Sequence, residues 1–245
     1  MFIFFLVDMG HLREGNHGLM KRIAKSFVIS VALLVFLWQQ VGMEALAQNK
    51  RIVNPKQVYT YEMMTKDIER LAQQYPDLIE VKSIGQTPYG REIWAVKLGN
   101  GTPNVFFNGS HHAREWLTTN LLMDMLDQYA QAYKNKQEIS GYNVQSILDH
   151  GSIWFVPMVN PDGVTLQQSG LKAFPKEDHK KLIAMNNGGS NFARWKANAQ
   201  GVDLNRQYPA GWDTIRNNVD KPHYMNHKGS SALSTRSKSL GRFHI

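Results

Sequence analysis

Asn104-Val105-Phe106-Phe107-Asn108-Gly109-Ser110-His111-His112-Ala113-Arg114-Glu115-Trp116 contains the change of period on which the fold turns. Asn104 to Asn108 is a short apolar run with polar ends, the pattern of a strand. From Glu115 to Tyr133 the apolar residues Leu117, Leu121, Leu122, Met125, Leu126 and Tyr129 recur at three and four, which predicts a helix with all six on one face. Upstream, Met64, Ile68, Leu71, Ala72 and Tyr75 predict a helix over Tyr61–Tyr75, stopped by Pro76. Leu78 to Ile84 and Glu92 to Leu98 alternate as strands around a turn-rich Gly85-Gln86-Thr87-Pro88-Tyr89-Gly90. Downstream, a strand over Ser152–Val159 runs into Asn160-Pro161-Asp162-Gly163, which reads as a turn. Gln167 to Asn191 is polar and reads as a long surface excursion. Strands alternating with helices predict an α/β fold with a mixed, mostly parallel sheet and helices on both faces. Its functional loops should gather at strand C-terminal ends.

The chain has 245 residues, enough for one domain with a substantial core. With 42% hydrophobic and 20% charged residues, disorder is not the default. There is no cysteine, which excludes disulfides, cysteine nucleophiles and thiolate metal sites and leaves His, Asp and Glu as metal ligands. Residues 20–47 read as a signal peptide. Lys21, Arg22 and Lys25 form a basic start, Phe27 to Trp38 an apolar run, and Ala45-Leu46-Ala47 a cleavage pattern that predicts a mature start at Gln48. An uncleaved anchor is the alternative, although the run is short of the ~20 residues of a spanning helix. Residues 1–19 read as an extension from a start codon placed too early. Residues 1–47 hold four basic and three acidic side chains, so the remainder keeps +7 of the chain's +8. These charges are scattered rather than clustered with aromatics. They argue against nucleic acid and suit an anionic cell-wall surface or substrate carboxylates.

Three constellations carry chemistry. His112 and Glu115, three apart at the exit of a strand, can aim an imidazole and a carboxylate at one point, as hydrolytic zinc requires. Taken alone the spacing is weak: both residues also suit a helix N-terminus, where a carboxylate is favoured. His111 is a competing ligand, read here as a loop neighbour. Asn205 and Arg206, in Gly201-Val202-Asp203-Leu204-Asn205-Arg206, offer an amide and a guanidinium fork suited to a carboxylate. Arg194, in Asn191-Phe192-Ala193-Arg194-Trp195-Lys196-Ala197-Asn198, could polarise a carbonyl or steady an oxyanion.

In order along the chain, the segments from Tyr59 through Gly85–Ile93, Gly109–Trp116, Val156–Gly163 and Val202–Arg206 resemble the zinc carboxypeptidases of the carboxypeptidase A type. The run Arg194–Asn198 leading into Gly201–Pro209 looks most like bacterial members that cleave γ-D-glutamyl-meso-diaminopimelate bonds in cell-wall peptides. The resemblance implies Zn2+ as cofactor, with His112 and Glu115 as its first two ligands. It implies substrate binding by Arg114, carbonyl polarisation by Arg194, and a grip on the terminal carboxylate by Asn205 and Arg206. The expected protein is a secreted or cell-wall-associated metallopeptidase acting on a peptide, with the peptidoglycan stem peptide as candidate and the membrane involved only through the signal segment. A non-catalytic module that binds peptide carboxylates is the rival.

The family's third ligand is a histidine well beyond the Asn-Arg pair, followed by a catalytic glutamate. His223, His227 and His244 lack a strand-like apolar context, and no Glu follows Asn205. Residues 48–234 are thus expected to form a partial carboxypeptidase domain lacking its C-terminal part. Residues 235–245 are expected to be an aberrant basic tail after a frameshift or early stop near Ser234, and little activity is expected.

Overall fold

A four-stranded mixed sheet carries the part of the chain that holds the site. The computed structural model describes residue 25, residues 27–34, residue 36 and residues 51–231. The chain divides into two units after residue 50. In the first, residues 27–34 are helical and Phe27, Val28, Ile29, Leu33 and Leu34 are exposed. No helix among the described residues is long and apolar enough to cross a membrane. Residues 1–19, the cleavage pattern at Ala45-Leu46-Ala47 and the tail 235–245 lie outside the described residues.

In the second unit, helix α1 (Tyr61–Gln74) starts where Thr60 accepts a hydrogen bond from the Met63 amide, and it ends two residues before Pro76. Strands β1 (Ile79–Gln86) and β2 (Glu92–Leu98) pair antiparallel. β3 (Asn104–Asn108) leads through a 3-10 turn, Ala113–Glu115, into α2 (Leu117–Lys134). A small hairpin, β4 (Glu138–Ile139) and β5 (Tyr142–Asn143), and α3 (Val144–His150) precede β6 (Ser152–Val156). The chain continues through α4 (Pro161–Ser169) and α5 (Lys176–Met185).

The strand order is β1-β2-β6-β3. β2 and β6 are antiparallel, with Val96 opposite Phe155. β3 and β6 are parallel, with Phe107 opposite Phe155. The sheet is mixed as expected, yet two of its three pairings are antiparallel, because β1 and β2 form a hairpin and β6 enters beside β2 in the opposite sense. Alternation decides what each face meets. Val96, Leu98 and Phe155 pack with Met64, Ile68 and Leu71 of α1, Leu122, Met123 and Leu126 of α2, and Leu148 of α3. Ile93, Ala95, Trp154 and Val156 point to the other face, where Val159 and Leu204 cover them. The three early helices therefore share one face, and loop segments close the other.

Several expectations need correction. Leu117 and Leu121 are 70% and 57% exposed, while Thr119, Leu122, Met123, Leu126 and Ala130 form the buried face of α2. The buried stripe keeps the three-four spacing but is offset from Leu117 and Leu121, so Thr119 and Met123 take the inward places. The strand predicted to Val159 stops at Val156. Asn160-Pro161-Asp162-Gly163 is not a turn but the start of α4: the Asn160 side chain accepts from the Gly163 amide, and Pro161 occupies the first helical turn, where no amide is needed. The polar stretch 167–191 contains α5, which buries Leu182 and Met185 in a second cluster with Phe174, Phe192 and Trp195. The N-terminal segment of this unit is tied to α2 through Asp127. Its buried carboxylate accepts from the amides of Ile52 and Val53 and from Arg51 Nε, each at 2.9 Å.

The two faces of α2 should respond differently to truncation. Leu126→Ala should cost about 2–5 kcal/mol. Leu121→Ala should stay within about 0.5 kcal/mol. Urea unfolding of the two variants checks the assignment, and comparable losses would contradict it.

Candidate metal centre

Parallel pairing of β3 with β6 brings the C-terminal ends of both strands to the same end of the sheet, and the site lies there. The loop after β3 is held from several sides. The Gly109 amide donates to Val156, the Val159 amide to Gly109 and the Asn160 amide to Ser110. Ser110 adopts a left-handed conformation (φ 51°), stabilised by its amide donating to Thr118 Oγ1 at 2.8 Å. The buried Asn160 side chain donates to the carbonyls of His111 and Ala197, both at 3.1 Å, and so joins the loop to the later segment around residue 197. A side chain at Gly163 would come within 2.5 Å of the Ala197 carbonyl and the Asn160 amide, so only glycine fits under this clasp.

On this support His112 and Glu115 converge. Both Glu115 carboxylate oxygens lie 2.9 Å from His112 Nδ1. His112 is largely buried and Glu115 exposed, so the pair opens to solvent on one side. The opposite ring nitrogen, Nε2, faces Asp203 Oδ1 at 3.2 Å, an ion-pair approach rather than an aligned hydrogen bond. Asp203 is fully buried and sits at the N-terminus of a 3-10 turn, Leu204–Arg206. Its other oxygen meets Lys196 Nζ at 3.0 Å and Arg206 Nε at 3.2 Å. Burial works to raise the Asp203 carboxyl, but the close approach of the His112 ring and of the Lys196 ammonium outweighs it. The group is held well below the usual carboxylate range.

This donor set fits zinc. An imidazole nitrogen and a carboxylate meet at one point, and a buried carboxylate behind the ring can hold the Nε2 proton, which leaves the Nδ1 lone pair for the metal. Among the described residues no group of three His, Cys, Asp or Glu side chains converges, and the convergent pair is His112 with Glu115. His223 bonds Asn187 Oδ1 and the Met225 carbonyl, and His227 bonds the Val219 carbonyl. His244 lies outside the described residues.

The pocket in front of the pair is lined by Phe106, Asn108, Ser110, His111, Asn205 and Tyr208, among others. His111 Nε2 and the Tyr208 hydroxyl lie 2.7 Å apart. Burial first, and then neighbouring His112, lower the His111 pKa to about 4 against the pull of Asp203 and Glu115. Asn205 reaches the pocket as the sequence suggested. Arg206 does not line it, because its guanidinium is committed to Asp203, to the Arg216 carbonyl at 3.0 Å and to Asn226 Oδ1 at 3.4 Å. Arg194 is exposed, and its carbonyl accepts from Arg114 Nη1 at 3.4 Å, so these two arginines lie side by side outside the pocket lining. Lys196, two residues on, joins Arg206 at the buried carboxylate. Sequence reasoning passed over Asp203, Lys196, Asn160 and Tyr208. Asp203 had one usable signal, its place two residues before Asn205 in the segment already singled out.

A family model described as zinc carboxypeptidase matches residues 64–239. The gamma-D-glutamyl-L-diamino acid endopeptidase 1 of Lysinibacillus sphaericus is 40% identical over 163 residues, covering 66% of this chain and 41% of that protein. The zinc carboxypeptidase of Saccharothrix mutabilis subsp. capreolus is 26% identical over 166 residues, covering 63% of this chain and 33% of its own length. The chain thus spans between a third and two fifths of these relatives. Bovine thrombin-activatable fibrinolysis inhibitor, solved with tick carboxypeptidase inhibitor, superposes with a TM-score of 0.57 at 18% identity over 77% of this chain and 56% of that one. Carboxypeptidase A from Helicoverpa armigera gives 0.55 at 18% identity over 90% and 54%. At such identities the structures speak for the fold alone.

Asp203→Asn should weaken zinc binding by about 10–100-fold, as loss of an outer carboxylate behind a ligating histidine does. Competition with a chromophoric chelator measures it, and unchanged affinity would remove Asp203 from the site. Acid should destabilise the metal-free protein in two steps. Between the ordinary 6.5 and about 4 the unfolded chain binds a proton at His111 that the folded state refuses, so stability falls as pH drops through that window. The Asp203 contribution, present above its ordinary 3.8, is lost below it. Urea midpoints against pH, with the His111 ring followed by NMR, check both; a His111 ring titrating near 6.5 would refute the first.

Proposed function

The chain belongs to the zinc carboxypeptidase family, and from that premise we propose that it is an exported peptidase acting beside a residue with a free carboxylate. The substrate class is the γ-D-glutamyl-diamino acid bond of cell-wall stem peptides. The similarity to the L. sphaericus endopeptidase supports that choice, and a basic balance of +8 suits an anionic substrate or wall. The basic start, apolar run and cleavage pattern of residues 20–47 support export. Arrival at the cell wall or medium follows from the same segment.

The observation that carries the reading is the convergence of His112 Nδ1 and both Glu115 oxygens in a pocket that Asn205 also lines. Zinc, when bound, supplies a Lewis acid that polarises the scissile carbonyl and acidifies water. The chain's own residues orient the parts. Asp203 holds the His112 ring, Glu115 offers its carboxylate to the metal from the open side, and the Asn205 amide donates to the substrate carboxylate. Arg114 and Arg194, exposed cations beyond the pocket lining, would contact carbonyl or carboxylate oxygens of an entering peptide. In this geometry Arg206 acts first through Asp203, as one of the two permanent cations that balance its charge. With two converging ligands among the described residues, zinc should be held more weakly than at a three-ligand site and turnover should be low. That same ligand count favours a second reading, a module that binds peptide carboxylates without hydrolysing them.

Purified protein, zinc and a γ-D-glutamyl-diaminopimelyl peptide separate these readings. Binding should require the peptide's free carboxylate, and Asn205→Ala should weaken it about tenfold or more, the worth of a hydrogen bond to a charged group. Glu115→Gln should reduce zinc uptake. Peptide binding indifferent to Glu115→Gln and to chelator favours the binding module. Robust zinc-dependent turnover overturns the low-activity expectation, and hydrolysis indifferent to chelator overturns the metallopeptidase reading.

A further inference from the structure

His111 stands beside the metal pair with no part in the reading above. Its Nε2 lies 2.7 Å from the Tyr208 hydroxyl, and the two rings are 5.8 Å apart and tilted by 42°. The contact joins residues 97 apart in sequence. Its neighbour His112 makes a second link across the same gap, with Nε2 3.2 Å from Asp203 Oδ1. Asp203 and Tyr208 flank the short turn Leu204–Arg206, so two adjacent residues of one loop are stitched to the two ends of another.

Two attachments do what one cannot. A single contact fixes a distance but lets the loop pivot about it, whereas a second contact a few ångströms away removes the pivot. The backbone of the metal loop is anchored behind by Asn160, which donates to the His111 carbonyl. That anchor holds the peptide but not the side-chain angle. The angle matters because His112 must present Nδ1 to the same point as the Glu115 carboxylate. The far end of the brace is on the segment that brings Asn205 into the pocket.

We propose that Tyr208 is a positioning residue that acts through His111: their hydrogen bond sets the loop angle at which His112 and Glu115 converge and so couples metal affinity to the placement of Asn205. The inference rests on the reading of His112 and Glu115 as zinc ligands. It uses Tyr208 as a brace and assigns it no contact with the metal.

Tyr208→Phe removes the hydroxyl and keeps the ring. Zinc affinity by chelator competition, the visible absorption of the cobalt(II) form and the thermal midpoint of the metal-free protein are measured for parent and variant. The expected result is about tenfold weaker zinc binding, in the range of outer-shell losses, with an altered cobalt spectrum. The metal-free midpoint should move only about 2–4 °C, the effect of one lost hydrogen bond in a chain of this size. His111→Gln, whose amide can still meet the tyrosine, should fall between the two, and Tyr142→Phe, at an exposed tyrosine outside the pocket, should match the parent. Parent-like zinc affinity in Tyr208→Phe overturns the proposal while leaving the ligand assignment intact. A collapse of the metal-free midpoint alongside affinity also overturns it, since Tyr208 would then be a structural prop. A parent that takes up no zinc overturns the ligand assignment and the brace together.

Discussion

A single buried carboxylate, Asp203, organises the site. Alone in the interior it would be too costly to leave ionised, and the fold answers by surrounding it with Lys196, Arg206 and the Nε2 edge of His112. These contacts run in both directions. The cations keep the carboxylate charged, and the charged carboxylate orients the imidazole whose other nitrogen faces Glu115. Removing one partner would leave the rest buried with unbalanced charge, a larger loss than the pair's own attraction suggests. Asp203 also starts the turn that carries Asn205, so metal side and carboxylate side share one anchor.

That anchor works because the sheet delivers both loops to one place. β3 and β6 run parallel, so Asn108 and Val156 end side by side, and the loops that follow can exchange hydrogen bonds. The buried Asn160 amide completes the junction by binding the carbonyls of His111 and Ala197 together. Rigidity at the sheet end thus passes into a loop whose Ser110 is held in a left-handed conformation. Strain of that kind persists only where the surroundings over-determine it.

The legible parts of the fold were the local ones. The strands Glu92–Leu98 and Asn104–Asn108 and the helix from Tyr61 follow alternation and three-four spacing, and their bounds agree with the reading to within a residue. The inward face of α2 was misread because Leu117 and Leu121 look apolar enough for a core, yet a second three-four stripe, Thr119, Leu122, Met123, Leu126 and Ala130, faces inward and leaves them to solvent. Asn160-Pro161-Asp162-Gly163 has the composition of a turn and of a helix start alike, and only the side-chain bond from Asn160 to the Gly163 amide separates the two. The α5 segment hid its core residues, Leu182 and Met185, among lysines that cover its outer side.

The sequence by itself determined the α/β alternation, the family, and the pairing of His112 with Glu115, because each depends on residues close together or on motifs in order. Only the tertiary structure decided that two of the three strand pairings are antiparallel, that Arg206 serves Asp203 and not the pocket lining, that Lys196 and not Arg194 reaches the buried carboxylate, and that His111 is tied to Tyr208. Those facts depend on contacts between residues tens of positions apart. Neither spacing nor propensity encodes them, because the partner of a charged side chain is chosen by what the packed backbone brings within reach.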